Sequence, residues 1–338
     1  MAPSGTSLSR PKVALVSTGG TIAMVGRHPY DWVDYAESGI VRDAAEVLHE
    51  LADLLPDVAI EAVPFRRIGS TAIIVNDWLA LAKLVARLAK RRDLAGIVIT
   101  HGTATLEETA WMLALTVITP KPIVITGAQR PPNTAGSDAG PNLRAAILAA
   151  ASPALSGCGV TVVMNNQIHE ARSVTKLANH DLDAFQSPEY GPLGRVAADG
   201  AVVIRRRPVP LPPRRPWRLE RLRSLPRVDI VYSYAGADGA AVKAMVAAGA
   251  RGIVSAGLPP GRPANRERAE LVNAARRGIA VVLASRAIKG IVEPAADAAR
   301  DGFLNARDLS PPKARILLML ALASVRHRDG IQAILNQF

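Results

Sequence analysis

The sequence predicts an α/β protein in two parts, a larger front part and a smaller back part. Two observations support this prediction. In both parts, short apolar runs alternate with helical stretches rich in alanine and leucine. A segment dense in arginine and proline, residues 205–227, separates the two parts. A stretch of this composition predicts a stiff, solvated linker.

The apolar runs of the front part are short and do not alternate with polar residues. Strands that are covered on both faces have this pattern, which favours a largely parallel sheet. The predicted strands are VALVS (13–17), IVIT (97–100), PIVIT (122–126) and VTVVM (160–164). Helical stretches, including 77–94 and 140–155, separate them.

The same alternation restarts behind the linker, which predicts a second, smaller parallel α/β domain. Its predicted strands are VDIVYSYAG (228–236), GIVSAG (252–257) and IAVVLAS (279–285). One helix is expected at about 239–248, another between the last two strands, and the final helices near 310–325, where prolines mark a helix start. The expected organisation is an N-terminal domain at 10–204, the linker at 205–227 and a C-terminal domain at 228–338.

The composition limits the class of protein. With 338 residues, 49% of them hydrophobic, the chain can bury a large core. Cys158 is the only cysteine, which excludes an intrachain disulfide, and the six histidines show no metal-ligand spacing. We therefore expect no metal and no cofactor. The start resembles no signal peptide and no segment suits a membrane span, so we expect a soluble, cytoplasmic protein.

The net charge of +12 raises the question of a nucleic-acid or anionic-surface partner. Much of this excess lies in the linker. Aromatic residues, which would stack on bases, form only 4% of the chain, and no nucleic-acid motif is present. A basic surface on a soluble enzyme is the simpler interpretation, so we expect neither a nucleic-acid nor a membrane partner.

Candidate functional residues lie where predicted strands end, because ligands of open α/β sheets bind beyond the carboxyl ends of the strands. The ends in question are VSTGGTIA (16–23), ITHGTATLEET (99–109) and the stretch at 125–143. The paired glycines match neither a dinucleotide-binding motif nor a P-loop, and no lysine follows at P-loop spacing. The pattern therefore disfavours nucleotide binding.

Threonines beside these glycines suggest a different chemistry. Thr18, Thr21 and Thr103 place hydroxyls next to accessible backbone N–H groups. A threonine hydroxyl can act as a nucleophile if a base takes its proton and N–H donors receive the resulting oxyanion. The structural alternative is that these threonines cap helices. Spacing alone leaves both interpretations open.

Several motifs closely resemble the bacterial L-asparaginase and glutaminase-asparaginase family. They are STGGTIA (17–23), ITHGTATLEETAWML (99–113) and TGAQRPP (126–132), and further likeness extends over nearly the whole chain. The resemblance implies two α/β domains, the first with a mixed sheet and the second similar to a Rossmann fold. It also implies a homotetramer built as a dimer of dimers, with each active site between the front domain of one subunit and the back domain of the next.

The resemblance also implies roles for individual residues. Thr18 matches the nucleophile, and Tyr35, on a loop at roughly 24–41, matches a residue that assists it. Thr103 matches a second catalytic threonine, and Lys176 matches its partner. A lysine acts as a base only when its pKa is lowered, so Lys176 would have to be buried.

The same family likeness assigns a substrate-binding group. Ser70, together with the backbone of Gly102 and Thr103, matches the residues that hold a substrate carboxylate. Thr71 and Ala104 are the neighbouring positions from which the family contacts the rest of its substrate.

Four departures from the family pattern concern the substrate ammonium group. Ala104 replaces an aspartate, and Thr71 replaces a glutamine, both of which bind the α-ammonium in the family. In the back domain, Pro260 stands in the region of a family asparagine, and a family glutamate has no clear counterpart near Glu293. The residues for the nucleophile, the carboxylate and the lysine remain.

These observations favour an amidohydrolase that forms an acyl-threonine on a small carboxamide whose α-amino group is absent or masked. One alternative is a weak true L-asparaginase. Another, of a different class, is a non-catalytic ligand-binding paralogue or an RNA-associated protein that uses its arginines. The expected assembly is a homo-oligomer with sites at the subunit interface.

Overall fold

The computed structural model describes residues 10–49, 55 and 57–338. It confirms the predicted two-part α/β fold, with an eight-stranded mixed sheet in the larger part and a four-stranded parallel sheet in the smaller part. A separate two-stranded ribbon is inserted in sequence between two strands of the larger sheet. Within the described ranges, no helix is long and apolar enough to cross a membrane.

The larger sheet combines five parallel strands with three antiparallel ones. The parallel strands are β1 (Lys12–Ser17), β2 (Ala59–Val63), β3 (Gly96–Thr100), β4 (Ile123–Thr126) and β5 (Val160–Met164). The antiparallel strands are β6 (Gln167–Glu170), β9 (Gly194–Val196) and β10 (Val202–Ile204), and the ribbon is β7 (Thr175–Lys176) with β8 (Phe185–Gln186). The order is β10-β9-β6-β5-β4-β3-β1-β2. The mixed sheet implied by the family resemblance is therefore present.

Helices cover both faces of this sheet. They are α1 (Ala44–His49), α2 (Val75–Ala89), α3 (Leu106–Thr116) and α4 (Ala139–Ala151). Ile97 and Ile99 of β3 belong to one apolar cluster with residues of α2 and α3, whereas Val98 belongs to another with residues of α4. Because successive side chains of a strand point to opposite faces, a strand covered on both sides needs an unbroken apolar run.

The smaller part repeats this construction with four strands. They are β11 (Val228–Tyr232), β12 (Gly252–Gly257), β13 (Ala280–Ser285) and β14 (Leu304–Asn305), paired in that order and all parallel. Its helices are α5 (Ala240–Ala247), α6 (Asn265–Arg276), α7 (Ala296–Arg300), α8 (Pro311–Leu322) and α9 (Arg328–Gln337). Helix α8 packs against both β12 and α3, so one apolar cluster extends through both parts.

The structure corrects several predicted element ends. Helix α2 ends at Ala89 rather than at 94, and α4 ends at Ala151 because Pro153 begins a separate 3₁₀ turn. The sequence predicted neither the antiparallel strands nor α9. These strands are only three or four residues long, so pairing with a neighbouring strand defines them rather than a sequence pattern.

The composition of residues 205–227 predicted a solvated linker. The structure instead anchors part of this segment to the rest of the protein. Trp217, Leu219 and Leu222 are buried. The Trp217 indole N–H donates to the Leu115 carbonyl (2.9 Å), and its ring packs on Phe338 at 5.3 Å between centroids. Arginines and prolines surround these three apolar residues, so the sequence pattern did not indicate that they are buried.

Candidate active site

The candidate site lies at the topological switch point of the larger sheet. From β1 the chain passes to β2 on one side, and β3 then lies on the other side of β1. A crevice forms at such a reversal, beyond the carboxyl ends of the two strands. Thr18 follows β1 directly, and Thr103 lies three residues beyond β3.

Glycines allow the segments around the crevice to touch. Gly20 has φ 83°, and a Cβ at this position would lie 2.3 Å from the Gly102 Cα. A Cβ on Gly102 would lie 2.6 Å from the Ser70 Oγ. The Thr105 hydroxyl also donates to the Ser70 carbonyl (2.9 Å). Larger residues at either glycine would force apart the segments that the sequence assigned to the site.

Thr18 is held rigidly beneath the crevice and is only 1% exposed. Its backbone N–H and its hydroxyl both donate to the Thr100 carbonyl, each at 3.0 Å. Its carbonyl accepts a hydrogen bond from the Ile68 N–H (2.7 Å). Among the described residues, the hydroxyl has no side-chain base as a partner.

The alternative that these threonines cap helices is wrong. Gly20 occupies the N-cap of the 3₁₀ turn at Thr21–Ala23, and Thr105 occupies the N-cap of α3. Neither position makes a side-chain cap hydrogen bond. The hydroxyls of Thr18 and Thr103 are therefore not used to satisfy helix ends.

The structure places the side chain of Lys176 beside that of Thr103. The Lys176 Nζ lies 2.9 Å from the Thr103 Oγ1, and Thr103 is 8% exposed. Lys176 is in β7, where its backbone N–H donates to the Glu107 carboxylate (3.1 Å). Burial lowers the pKa of Lys176, and the negative charge of Asp138 opposes this effect. A lysine with a lowered pKa can accept a proton from a neighbouring hydroxyl.

Asp138 is a site residue that the sequence interpretation missed. Its carboxylate accepts hydrogen bonds from the backbone N–H groups of Gln129 and Arg130 (both 3.0 Å) and from the Asn142 side chain (2.9 Å). It is buried just before α4. An aspartate immediately ahead of a helix is a recognisable start signal, but only the fold brings its charge near Lys176.

His101 fixes the backbone at the tip of β3. Burial lowers the pKa of His101 to about 4, so the ring is neutral at pH 7. The Nδ1 lies 2.8 Å from the Gly102 carbonyl, which can only accept, so Nδ1 donates. The Nε2 then accepts from the Thr109 hydroxyl (2.9 Å), which itself accepts from the Trp78 indole N–H (2.8 Å). This chain of bonds holds the Gly102–Thr103 peptide in one orientation.

Tyr35 contacts the loop that follows β1, but its hydroxyl does not bond to Thr18. Its hydroxyl shares a hydrogen bond of 2.8 Å with the Thr21 hydroxyl. The loop before it is closed by Arg27, which pairs with Asp31 (3.1 Å) and Glu37 (2.7 Å). The structure thus places Tyr35 beside Thr21 rather than beside Thr18.

Of the remaining predicted positions, only Glu293 carries a charged side chain. Ala104 and Thr71 are both exposed, and Ser70 is partly buried. Pro260, in the turn after β12, and Glu293, after β13, are also exposed and belong to the second sheet. No group of three or more potential metal-ligating side chains is found within the part of the chain that the structure describes.

The comparisons with known proteins decide the family. Residues 12–210 match the model described as "Asparaginase, N-terminal", and residues 227–335 match the "Glutaminase/Asparaginase C-terminal domain". The chain belongs to the asparaginase family. It is therefore an enzyme of the amidohydrolase class, which acts on carbon–nitrogen amide bonds.

Members of the asparaginase family match this chain over almost its full length. L-asparaginase 2 of Escherichia coli is 39% identical, with 99% of this chain and 95% of the relative covered. The glutaminase-asparaginase of Pseudomonas fluorescens is 35% identical, with 97% and 90% covered. The crystal structure of a probable cytoplasmic L-asparaginase from Campylobacter jejuni has a TM-score of 0.92 and 34% identity, covering 97% of this chain and 100% of that one.

Proposed function

We propose that this amidohydrolase hydrolyses a small carboxamide through an acyl-threonine formed on Thr18. The observation that carries the proposal is the contact of 2.9 Å between the Lys176 Nζ and the Thr103 Oγ1, at the strand ends where Thr18 also lies. A hydroxyl paired with a base of lowered pKa is the arrangement that nucleophilic catalysis requires.

In the first step, the Thr18 oxygen bonds to the amide carbon while its proton is transferred to the leaving nitrogen. The carbon–nitrogen bond then breaks and releases ammonia or an amine. In the second step, a water oxygen attacks the acyl ester, and the ester carbon–oxygen bond breaks to restore Thr18. Lys176, acting through Thr103, is the proposed base: it takes the proton of the attacking group and passes it to the leaving nitrogen in the first step and to the Thr18 oxygen in the second. Backbone N–H groups of the glycine-rich loops are the proposed oxyanion donors.

The proposed substrate carries a carboxylate but no free α-ammonium group. Ser70 and the backbone at Gly102 and Thr103 are the proposed carboxylate-binding group. An ammonium that enters a closed site costs several kcal/mol unless a carboxylate or well-placed acceptors meet it. Ala104 and Thr71 provide no charge, which supports a substrate such as succinamate or an N-acylated asparagine.

We also propose a homo-oligomer, assembled as a dimer of dimers, in which the back domain of one subunit completes the site of another. The support is the apolar surface around the carboxyl ends of the second sheet. Tyr232 is 59% exposed and Ile288 is 66% exposed, and Tyr234 and Ile291 are exposed as well. Exposed apolar groups of this size are typical of protein–protein contacts. The cytoplasmic location remains a prediction.

Release of ammonia from a panel of amides tests the function. We expect kcat/KM for succinamate and N-acetyl-L-asparagine to exceed that for L-asparagine by about tenfold or more, since neither carries an ammonium. The Thr18→Ala variant is the control and should release none. A preference of the parent enzyme for L-asparagine at both saturating and limiting concentrations would favour a weak true L-asparaginase, the activity named for the relatives. A parent protein inactive on every amide would instead favour the ligand-binding alternative.

A further inference from the structure

A large cleft lies at the amino ends of the second sheet. Its volume is about 910 Å³. The residues just before or at the start of β11, β12, β13 and β14 line it, together with the end of α8 and the start of α9. The candidate active site, in contrast, lies at the carboxyl ends of the first sheet. A pocket of this size accommodates a small organic molecule.

Arginine dominates the charged lining of this cleft. The five arginines are Arg221, Arg223, Arg251, Arg326 and Arg328. No aspartate or glutamate lines the cleft among the residues that the structure describes. The cleft is therefore far more basic than the chain as a whole, in which 41 basic residues face 29 acidic ones.

Four of these arginines have no partner among the residues that the structure describes. In the described part of the protein, the guanidinium groups of Arg221, Arg223, Arg251 and Arg326 make no hydrogen bond or ion pair, while Arg328 donates to the Ala299 carbonyl (3.4 Å). Several arginines on the neighbouring elements are paired, in contrast. Arg268, for example, lies 2.9 Å from Asp297 and 2.6 Å from Asp301.

Helix dipoles do not explain this arrangement. The carboxyl ends of α6 and α8 lie at this edge, and such ends favour nearby cations. An arginine that serves this purpose usually donates to the last carbonyls of the helix. Arg251 and Arg326 donate to none, so their guanidinium groups remain free for an external anion.

The inner wall of the cleft is apolar. Leu222, Leu304 and Ile331 are buried, whereas the arginines are exposed. A cleft with a buried aliphatic wall and a cationic mouth matches a ligand that has an apolar body and an anionic end. Arginine recognises phosphate oxygens in bidentate geometry, and several guanidinium groups together favour more than one negative charge.

We propose that this cleft binds an organic diphosphate, with the diphosphate at the arginines and the organic part against the aliphatic wall. Two classes of ligand combine a diphosphate with an organic part in this way: nucleoside diphosphates and prenyl diphosphates. The aliphatic wall and the absence of aromatic side chains from the described lining of the cleft favour a small ligand of this kind over a nucleic acid, which would need aromatic stacking groups. The site is separate from the proposed amide chemistry and does not depend on it.

Isothermal titration calorimetry of the full chain tests the proposal with ADP, geranyl diphosphate and inorganic pyrophosphate. At least one organic diphosphate should bind more tightly than pyrophosphate, and whichever of the two binds identifies the source. The double variant Arg223→Gln/Arg251→Gln should weaken that binding by about tenfold or more, because two charge-assisted contacts are lost. The matched control is Arg195→Gln/Arg300→Gln, two exposed arginines outside the cleft, which should change the affinity less than twofold.

A variant that fills the cleft tests the apolar wall separately. Ala323 lines the cleft at the end of α8 and is exposed. Ala323→Trp should weaken the organic diphosphate more than pyrophosphate. The proposal is overturned if pyrophosphate binds as tightly as both organic ligands, or if the two arginine double variants weaken binding equally. Binding of a short single-stranded oligonucleotide through Arg223 and Arg251, without binding of either organic diphosphate, would also overturn it and identify a nucleic-acid surface.

Discussion

At the carboxyl edge of the first sheet, Thr18 is 1% exposed and Thr103 is 8% exposed, whereas at the carboxyl edge of the second sheet Tyr232 is 59% exposed. Both edges follow parallel strands with helices on each face. At the first edge, glycine-rich loops pack over the strand ends and bring a lysine to a threonine. At the second edge, aromatic and aliphatic side chains are left open to solvent.

The carboxyl ends of parallel strands can therefore serve two purposes, catalysis and contact with another subunit. A catalytic group needs a desolvated setting that lowers the pKa of its base, and the first edge provides this for Lys176. The open second edge fits the proposed contact with another subunit, because burying apolar surface drives association. The proposed active site therefore requires both edges, from different copies of the chain.

Removal of either hydroxyl at the first edge should have the largest effect. Thr18→Ala and Thr103→Val are each expected to lower kcat by at least about 10³-fold, because each hydroxyl has a proposed role in the transition state. Stability should change by only about 1 kcal/mol, the value of one hydrogen bond. Steady-state kinetics, thermal unfolding, and mass spectrometry of an acyl adduct trapped on Thr18 provide the measurements.

The matched control is Thr116→Val. Thr116 is also a buried threonine, but its hydroxyl donates to the Met112 carbonyl within α3. It should keep the parental kcat. Parental rates in both site variants would exclude the threonine mechanism, and an adduct on Thr103 would reverse the roles of the two hydroxyls.

Disruption of the second edge should have the next largest effect. Tyr234→Asp combined with Ile288→Asp places charge on the exposed apolar surface and should dissociate the oligomer, since an unpaired buried charge is costly. Activity is expected to fall with the fraction of monomer. Light scattering run beside the activity assay measures both quantities.

Ile118→Asp serves as the control for this prediction. Ile118 is exposed in the front domain, after α3. Its replacement should leave both mass and activity unchanged. A fully active monomer of the parent protein would contradict the shared-site proposal.

A carboxylate added at the tip of the first edge should have the smallest effect. Ala104→Asp, combined with Thr71→Gln, is expected to shift the preference toward L-asparagine, because an ammonium then meets an opposite charge. The new negative charge also favours the protonated form of Lys176 and raises its pKa. Since the neutral amine of Lys176 is the proposed base, the limb of the pH–rate profile that depends on it should move to higher pH by about one unit.

Ala104→Asn with the same Thr71→Gln change separates charge from shape. This variant adds a side chain of similar size without a negative charge, so its pH limb should stay at the parental position. Equal pH profiles for the aspartate and asparagine variants would mean that the added carboxylate does not reach Lys176.

The sequence predicted the parts of the fold that depend on local pattern. Unbroken apolar runs indicated β1, β3, β4 and β5, and Ser310 followed by two prolines marked the start of α8. The strand-to-helix tip with Thr103 was likewise visible, because glycine and hydroxyl residues at a strand end need no tertiary contact to be recognised. Family likeness, rather than spacing, singled out Lys176.

Only the tertiary structure decided which distant groups meet. Lys176 and Thr103 are 73 positions apart in sequence, and the charge of Asp138 reaches Lys176 from a third segment. The short antiparallel strands and the buried Trp217 also depend on partners far along the chain. The local sequence pattern indicates the backbone conformation of a segment and which of its faces is buried. Strand pairing, the desolvation of a side chain and the pKa of a base depend instead on long-range packing.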